Sequence, residues 1–460
     1  MSSLRTATRL RLATSLPAVR ASRPYSAAAA AAVKPSEPSS HAPFFSNEPA
    51  GPTIKTTIPG PKNKAAIEDL DKVFDTRSLN MLANYEESLG NYIKDLDGNH
   101  DWAEILRTGI LTVAPKGLDQ VFTAMAGSDA NETAYKAAFM YRRQQERGGA
   151  HVEFTEAEIA SSMINQAPGA PQLSILSFKT AFHGRLFGSL STTRSKPIHK
   201  LDIPAFDWPQ ATFPLLKYPL HEFEAENAAA EAEALADVER LITTHHLPPC
   251  AVVVEPIQSE GGDNHASPAF FRGLRALTQK HNVLLIVDEV QTGVGATGKF
   301  WAHDHWDLDT PPDMVTFSKK AQTAGYYFGN PGLRPNKPYR QFNTWMGDPA
   351  RALLFRAIIQ EIERLDLVTH TANVGDYLYA GFERLATQYP GELLNLRGKG
   401  QGTFIAFDSP RRDEFLRKAK SVGVNIGGSG EKAVRLRPML IFQKHHADLL
   451  LEAVEKIVKT

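Results

Sequence analysis

Two apolar segments of the sequence end beside charged residues of complementary chemistry. Residues 283–287, VLLIV, stop at Asp288, and residues 314–317, MVTF, end two positions before Lys319. Continuous apolar runs of this length predict buried strands of a parallel sheet. In an open α/β sheet, ligands bind beyond the carboxyl ends of the strands. We therefore expect the carboxylate and the amine to meet at one site.

An amine and a carboxylate placed in this way meet the requirements of pyridoxal phosphate. A lysine amine can bond to the cofactor aldehyde, and an ionised aspartate keeps the pyridine nitrogen protonated so that the ring accepts electrons. The spacing alone leaves a second interpretation open, in which Asp288 caps a loop and Lys319 lies on the surface. The doublet Lys319–Lys320 also leaves open which lysine reacts, although Lys320 is expected to be a surface neighbour.

Further apolar strands alternate with helices around these two segments. This succession predicts an α/β fold whose large, cofactor-binding domain has a mainly parallel, doubly wound sheet, with a smaller α+β domain after it. We place an N-terminal arm and part of the small domain at 26–102, the large domain at 103–350 and the C-terminal small domain at 351–460. Within the first of these, residues 64–90 predict a helix followed by a loop.

Composition excludes several classes of protein. The 460 residues are 42% hydrophobic, which supports a sizeable core, and 51 basic residues balance 51 acidic ones, so nothing indicates a nucleic acid partner. No apolar run is long enough to span a bilayer, and we expect no membrane partner. The single cysteine, Cys250, cannot form an intramolecular disulfide or a thiolate cluster for a metal.

The N-terminal stretch has the composition of a targeting signal. It contains Arg5, Arg9, Arg11, Arg20 and Arg23, many Ser, Thr and Ala residues, and no acidic residue before position 37. This pattern predicts a mitochondrial transit peptide at 1–25 and a place in the mitochondrial matrix, with an ordinary disordered tail as the alternative.

A Gly-Ser pair precedes a predicted helix in the segment LDQVFTAMAGSDANETAYK. Gly127 and Ser128 thus lie where backbone N–H groups and the positive end of a helix dipole can hold a phosphate. Small residues before a helix are more often an ordinary turn, so this motif alone stays ambiguous.

Several blocks of sequence together resemble one enzyme family. VDEVQTGVGATGKFWAHDHW followed by DMVTFSKK resembles the class III aminotransferases, which are fold type I enzymes of pyridoxal phosphate. MAGSDANETAYK, EPIQSEGGDNHAS, RQFNTWMGDP and VRLRPMLIF extend the resemblance, from about residue 64 onwards, to the eukaryotic branch that acts on 4-aminobutyrate. The resemblance implies a homodimeric transaminase that moves the amino group of 4-aminobutyrate to 2-oxoglutarate, giving succinate semialdehyde and glutamate.

The resemblance also implies roles for residues of a cofactor site. Lys319 would hold the cofactor and then act as the acid–base in the proton shift. Asp288 would pair with the pyridine nitrogen, and Gln291 would bind the phenolic oxygen. Gly127 and Ser128 would bind the phosphate.

Two further cofactor residues and three substrate residues follow from the same resemblance. Thr344 of the partner subunit would join the phosphate site, and Phe182 would lie against the ring, with plain core packing as its alternative. Arg185 would bind the carboxylate of 4-aminobutyrate. Arg435 would bind the α-carboxylate of 2-oxoglutarate, and Glu260 would pair with Arg435 in the 4-aminobutyrate half-reaction. Taken singly, Glu260 and Arg435 could equally be separate surface charges.

Two departures from the family pattern affect these expectations. Ala126 and Asp129 stand where animal members carry cysteines associated with an iron–sulfur cluster, so we expect no metal site. Asn99 runs directly into His100, where family members have several elements that contribute to the substrate pocket and the subunit interface. This apparent deletion keeps a catalytically impaired isoform or paralogue as an alternative, beside a lysine 6-aminotransferase or a β-alanine transaminase.

Overall fold

The computed structural model describes residues 45, 47–49, 52, 54, 56–57, 59–79, 81–89, 92–95, 102–344 and 346–459. The chain divides into two compact units. One comprises residues 1–51 and 89–92, and most of it lies outside the described residues. The other comprises residues 52–88 and 93–460. The predicted transit peptide and the junction of Asn99 with His100 also lie outside the described residues.

Helices and strands alternate through most of the described chain. The helices are α1 (Pro61–Leu70), α2 (Trp102–Arg107), α3 (Gly127–Arg147), α4 (Glu156–Ser162), α5 (Phe187–Thr192), α6 (Glu224–Thr244), α7 (Pro268–Lys280), α8 (Pro349–Arg364), α9 (Leu367–Gln388), α10 (Arg412–Ser421) and α11 (Lys444–Val458). The strands are β1 (Ala83–Leu89), β2 (Tyr92–Asp95), β3 (Gln120–Ala124), β4 (Ser174–Phe178), β5 (Gln210–Ala211), β6 (Pro249–Val254), β7 (Leu284–Asp288), β8 (Met314–Phe317), β9 (Ala324–Phe328), β10 (Leu394–Arg397), β11 (Ala406–Asp408), β12 (Gly427–Ser429) and β13 (Ala433–Arg435).

A seven-stranded sheet forms the centre of the larger part of the chain. Its strand order is β3-β9-β8-β7-β6-β4-β5, and only β9 runs antiparallel to its neighbours. Every residue of β3, β4 and β6 to β9 is buried, as expected for strands covered on both faces. The predicted α/β class with a mainly parallel sheet is confirmed.

The pairing of β7 with β8 explains how the two charged segments come together. These strands are parallel neighbours, and Asp288 lies opposite Thr316 in their register. The chain leaves β8 at Phe317, so Lys319 follows at the same edge of the sheet at which β7 ends. Local apolar patterning therefore places both functional groups at the carboxyl ends of adjacent strands.

A separate four-stranded antiparallel sheet lies in the C-terminal part of the chain, with the order β10-β11-β13-β12. Its own core includes Phe382 of α9, Phe407 of β11 and Val454 of α11, all buried. This is the smaller α+β part that the sequence predicts, while the boundaries drawn at 102/103 and 350/351 stay predictions. Among the described residues, every helix is too short or too polar to span a lipid bilayer.

One local prediction is wrong. The stretch before residue 90 was expected to be a loop, but residues 83–89 form β1, which pairs with β2 in a two-stranded sheet. The segment ANYEESL lacks the β-branched residues that mark a strand in sequence. Pairing with β2, rather than intrinsic propensity, decides its conformation.

Candidate active site

Asp288 is buried at the end of β7, where three groups fix its carboxylate. Asn131 Nδ2 donates to Asp288 Oδ2 at 2.8 Å, and His183 Nδ1 lies 2.8 Å from the same oxygen. The backbone N–H of Val290 donates to Oδ1 at 3.0 Å. Asn131 is itself oriented because its Oδ1 accepts a 2.8 Å bond from Thr316 Oγ1. The carboxylate is thus presented in one fixed orientation.

His183 and Asn131 were not among the predicted site residues. His183 lies between the predicted residues Phe182 and Arg185, and Asn131 lies within MAGSDANETAYK, but their spacing to Asp288 carries no signal of contact. His183 Nε2 is buried without a hydrogen-bond partner. A buried imidazole that touches Asp288 on one side and has an unused nitrogen on the other marks a polar site rather than a hydrophobic core.

Lys319 follows β8 with an unusual backbone and an accessible side chain. Its φ is +48°, in the left-handed region that favours glycine, and its side chain is exposed. Desolvation by the surrounding protein lowers the pKa of its amine, although the charges of Asp288 and Glu255 oppose this shift. Because a lysine attacks only as the neutral amine, this environment favours nucleophilic chemistry.

Lys320 has a different environment from its neighbour. Its Nζ donates to the carbonyl oxygen of Gln291 at 2.8 Å and to that of Gly293 at 3.4 Å. Lys320 is half-buried, and its amine is held by backbone carbonyls instead of extending freely into solvent as expected of a surface lysine. Of the two lysines, only Lys319 has a side chain free for chemistry.

The Gly-Ser pair lies at the start of a long helix, as the sequence predicts. Gly127 and Ser128 open the 21-residue helix α3. A Cβ on Gly127 would come within 2.7 Å of Val290 Cγ1, and a Cβ on Gly184, whose φ is +126°, would collide with Ser128 Oγ. Glycine is therefore required at both positions, because Val290 and Ser128 occupy the space that a side chain would need. Gly127 and Ser128 are themselves half-exposed at the positive end of α3.

Phe182 and Arg185 lie together beyond the end of β4. The Phe182 backbone N–H donates to Glu255 Oε1 at 2.8 Å, and the Arg185 guanidinium lies 4.9 Å from the centroid of the Phe182 ring. His199, a residue not predicted, lies 3.5 Å from Arg185 through its Nε2. The Arg185 backbone N–H also donates to Ser128 Oγ at 3.2 Å, so this segment adjoins the start of α3.

Glu260 and Arg435 form an ion pair. Arg435 Nη2 donates to Glu260 Oε1 at 2.8 Å, and Arg435 Nη1 donates to the Ser259 carbonyl at 3.0 Å. Burial acts to raise the pKa of Glu260, but the charge and hydrogen bond of Arg435 outweigh it, so the pKa is lowered. Lys196, which sequence reasoning missed, places its Nζ 3.9 Å from the other Glu260 oxygen.

Gln291 and Thr344 are not tied to the other candidate residues by side-chain contacts. Gln291 is half-buried, and its side-chain amide makes no hydrogen bond to any of the described residues. Thr344 is exposed on its own chain, so its role in a partner's site stays a prediction. Among the described residues, no three His, Cys, Asp or Glu side chains cluster as a metal site. Cys250 is buried in β6, and burial raises the pKa of its thiol.

The arrangement matches a known family. Residues 99–458 match the family model of the class III aminotransferases, and the chain belongs to that family. It is a transaminase of the pyridoxal-phosphate-dependent class with the fold type I architecture.

Individual proteins of known name are also similar to this chain. A 4-aminobutyrate aminotransferase of Emericella nidulans is 66% identical, with 100% of this chain and 99% of that protein covered. The mitochondrial 4-aminobutyrate aminotransferase of Sus scrofa is 44% identical, covering 89% of this chain and 91% of that protein. Among solved structures, the lysine aminotransferase of M. tuberculosis in its internal aldimine form has a TM-score of 0.67 and 31% identity, covering 86% of this chain and 84% of that one.

The alignment with the Emericella nidulans relative also bears on length. It extends over 503 positions and takes in this whole chain of 460 residues, so about 43 positions, 503 less 460, have no residue of this chain opposite them. The chain is therefore shorter internally than this relative, in keeping with the apparent deletion. That the missing residues belong after Asn99 stays a prediction.

The residues present fit pyridoxal phosphate. The half-exposed residues Gly127 and Ser128 start α3, an accessible amine with a lowered pKa follows β8, and a buried carboxylate ends β7. Gly127 and Ser128 could hold the phosphate, Lys319 the aldehyde carbon and Asp288 the ring nitrogen. The unpaired His183 Nε2 indicates a site whose polar groups are not all satisfied by the protein itself.

Proposed function

We propose that this chain transfers the amino group of 4-aminobutyrate to 2-oxoglutarate, giving succinate semialdehyde and glutamate. The observation that carries the proposal is the Glu260–Arg435 ion pair, near the lysine amine whose pKa both residues influence. A second guanidinium, that of Arg185, is exposed beside the Phe182 ring. Two arginines, one of them neutralised by a carboxylate, suit an enzyme that alternates between a mono- and a dicarboxylate substrate.

Pyridoxal phosphate, when bound, supplies an aldehyde for the substrate amine and a ring that takes up electrons. Asn131, His183 and Val290 hold the Asp288 oxygens in one orientation, so that its carboxylate would face the ring nitrogen and keep that nitrogen protonated. Gln291 would bind the phenolic oxygen with its side-chain amide.

Lys319 moves the proton. Desolvation lowers the pKa of its amine, which favours the neutral form that can accept a proton. Lys319 Nζ would take a proton from the substrate carbon that bears nitrogen and give it back, as the acid–base of the transfer. Phe182 would pack against the ring face, and the backbone of Gly127 and Ser128 would hold the phosphate in place.

Substrate choice depends on which arginine is free. Arg185 binds the single carboxylate of 4-aminobutyrate while Glu260 neutralises Arg435. When 2-oxoglutarate enters, Glu260 releases Arg435, which binds the α-carboxylate. Lys196, at 3.9 Å, can receive the freed Glu260 carboxylate, which thus keeps a counter-charge.

Further parts of the proposal concern the setting of the enzyme. We place it in the mitochondrial matrix, on the arginine-rich N-terminal sequence and on the mitochondrial label of the Sus scrofa relative. We propose a homodimer in which Thr344 of one subunit completes the phosphate site of the other. We also propose the domain division predicted from the sequence, with an arm and part of the small domain at 26–102, the large domain at 103–350 and the C-terminal small domain at 351–460.

Other amine donors are the nearest rivals. A lysine aminotransferase is represented among the similar structures at 31% identity, while the 4-aminobutyrate aminotransferase of Emericella nidulans reaches 66%. The higher identity favours 4-aminobutyrate over lysine. A β-alanine transaminase differs by one methylene in its donor, which a pocket distinguishes only weakly.

A second candidate is a chain that binds the cofactor without efficient transamination. It is motivated by the roughly 43 positions at which the Emericella nidulans relative has residues and this chain has none. A missing pocket wall would raise KM or abolish turnover without disturbing Asp288 or Lys319.

The test is a visible absorption spectrum of the protein with pyridoxal phosphate, followed by addition of 4-aminobutyrate, β-alanine or lysine. We expect a cofactor band that bleaches on amine addition, fastest with 4-aminobutyrate, and no such band in Lys319→Ala. Preference for lysine would overturn the donor assignment. A band that no amine bleaches would favour the impaired chain, and a parent indistinguishable from Lys319→Ala would reject cofactor chemistry.

A further inference from the structure

Lys320 is a half-buried cation without an acidic partner among the described residues. No carboxylate of those residues lies within 4 Å of its Nζ, whose acceptors are the Gln291 and Gly293 carbonyls. Burial first, and then the charges of Arg437 and Lys319, lower its pKa to about 8, while Glu289 acts in the opposite direction. Burying an ammonium group is costly unless its hydrogen bonds compensate, so the two carbonyl contacts are the important feature of this side chain.

The segment that Lys320 binds is the turn following Asp288. This turn is fixed from within: Gly293 N–H donates to the Glu289 carbonyl at 2.9 Å, and the Glu289 carboxylate accepts from His303 N–H at 2.8 Å. It then passes through Val294, whose φ of +63° is strained for a β-branched residue. A turn that ends in a strained residue needs contacts to hold it.

Lys320 also shares a backbone with Lys319. The two residues are adjacent after β8, yet Lys319 is exposed to the site and Lys320 reaches into the carbonyls of the turn after β7. The side chain therefore connects the ends of two adjacent strands. One end carries the amine and the other carries Gln291.

We infer that Lys320 is a positioning residue that fixes the Gln291–Gly293 turn relative to Lys319 and thereby sets the Gln291 side chain against the cofactor. This inference rests on the proposed cofactor site and deepens it. Lys320 touches neither substrate nor reacting atoms. It acts through the backbone whose carbonyls it binds.

The test compares Lys320→Met with the parent, with Lys320→Arg and with a matched control, Lys280→Met. Lys280 is an exposed lysine paired with Glu239 on the surface at 2.6 Å. The first measurement is amide hydrogen exchange of residues 289–295 in protein without cofactor. The second is the affinity for pyridoxal phosphate, and the third is the absorption maximum of the bound cofactor.

We expect Lys320→Met to speed exchange of the turn amides by about tenfold and to weaken cofactor binding by about tenfold, the loss of a charged hydrogen bond. The absorption maximum shifts because Gln291 leaves the phenolic oxygen. Lys320→Arg, which keeps N–H donors, recovers part of each effect, and Lys280→Met changes none. If the methionine variant does not fold, Lys320→Gln replaces it in the same comparison.

Turn exchange and cofactor affinity within twofold of the parent would overturn the inference. So would an arginine variant that behaves like the methionine variant. None of these measurements uses 4-aminobutyrate, so failure of the proposed donor is distinguishable from failure of this inference. If the parent does not transaminate but Lys320→Met still speeds exchange of the turn amides, the proposed function is rejected and the role of Lys320 is retained.

Discussion

The cofactor half and the substrate half of the candidate site differ in how their charges are held. Asp288 is buried, and neutral or backbone donors such as Asn131 and Val290 hold its oxygens. Glu260 and Arg435 are each about 20% exposed and hold one another. A carboxylate bound by fixed donors keeps one position, whereas an ion pair open to water can exchange partners at low cost. The first arrangement suits a permanent cofactor, and the second suits alternating substrates.

Removing the fixed charge gives the largest expected effect. Asp288→Asn keeps the shape of the side chain but cannot keep the ring nitrogen protonated, so we expect kcat to fall about 100- to 1000-fold. The measurement is the rate of the 4-aminobutyrate half-reaction at saturating substrate. Asp313→Asn is the control, because Asp313 also carries a hydrogen-bonded carboxylate, half-buried and 2.7 Å from Arg275, but it precedes β8 at the opposite end of that strand.

The control variant is expected to lose stability and to keep its rate per folded molecule. A kcat of Asp288→Asn within tenfold of the parent would mean that the buried network is structural only. The contrast between the two halves would then have no chemical consequence.

The pH dependence of stability tests how well the residues beneath the substrate half are shielded from water. Burial, together with the charges of Arg397 and Arg437, lowers the pKa of His265 from 6.5 to about 3. The folded state therefore keeps His265 neutral while the unfolded state takes up a proton below pH 6.5, so stability falls as the pH drops. We expect a loss of about 2 kcal/mol in the free energy of unfolding between pH 7 and pH 5 from this group.

Urea unfolding of the parent and of His265→Gln at both pH values measures this loss. The variant should show a smaller decrease than the parent by about that 2 kcal/mol. Equal decreases in the two proteins would show that His265 is free to protonate in the folded state. The residues beneath the substrate half would then be more accessible to water than the surroundings of His265 indicate.

Removing the Glu260–Arg435 ion pair gives the smallest expected effect on catalysis, and that effect is confined to one substrate. In Glu260→Gln, Arg435 has no counter-charge when the monocarboxylate binds, so we expect kcat/KM for 4-aminobutyrate to fall about tenfold. The 2-oxoglutarate half-reaction should change by less than about threefold, because Arg435 is free there in both proteins. Glu392→Gln, which removes a surface pair with Arg411, is the control.

The two half-reactions are measured separately in single turnovers. Equal losses in both would show that Glu260 acts on the general shape of the pocket. No loss in either would mean that the Glu260–Arg435 ion pair has no part in the choice of substrate.

Much of the fold followed from local pattern. The continuous apolar runs before Asp288 and Lys319 form the adjacent strands β7 and β8, because strands buried on both faces need no alternation. The segment before residue 90 was misread because β1 depends on pairing with β2 and not on its own residues. A sequence pattern predicts a strand correctly where burial on both faces dictates the residue types. It fails where pairing with another strand dictates the conformation.

The sequence by itself determined which residues stand at the strand ends, since strand length and apolar content are local properties. It could not decide between Lys319 and Lys320, nor find the groups around Asp288. Asn131 and His183 are separated from Asp288 by 157 and 105 positions, and only the packing of α3 and of the turn after β4 against the sheet brings them to it. Contacts over such distances are set by the whole fold, because no local preference encodes them.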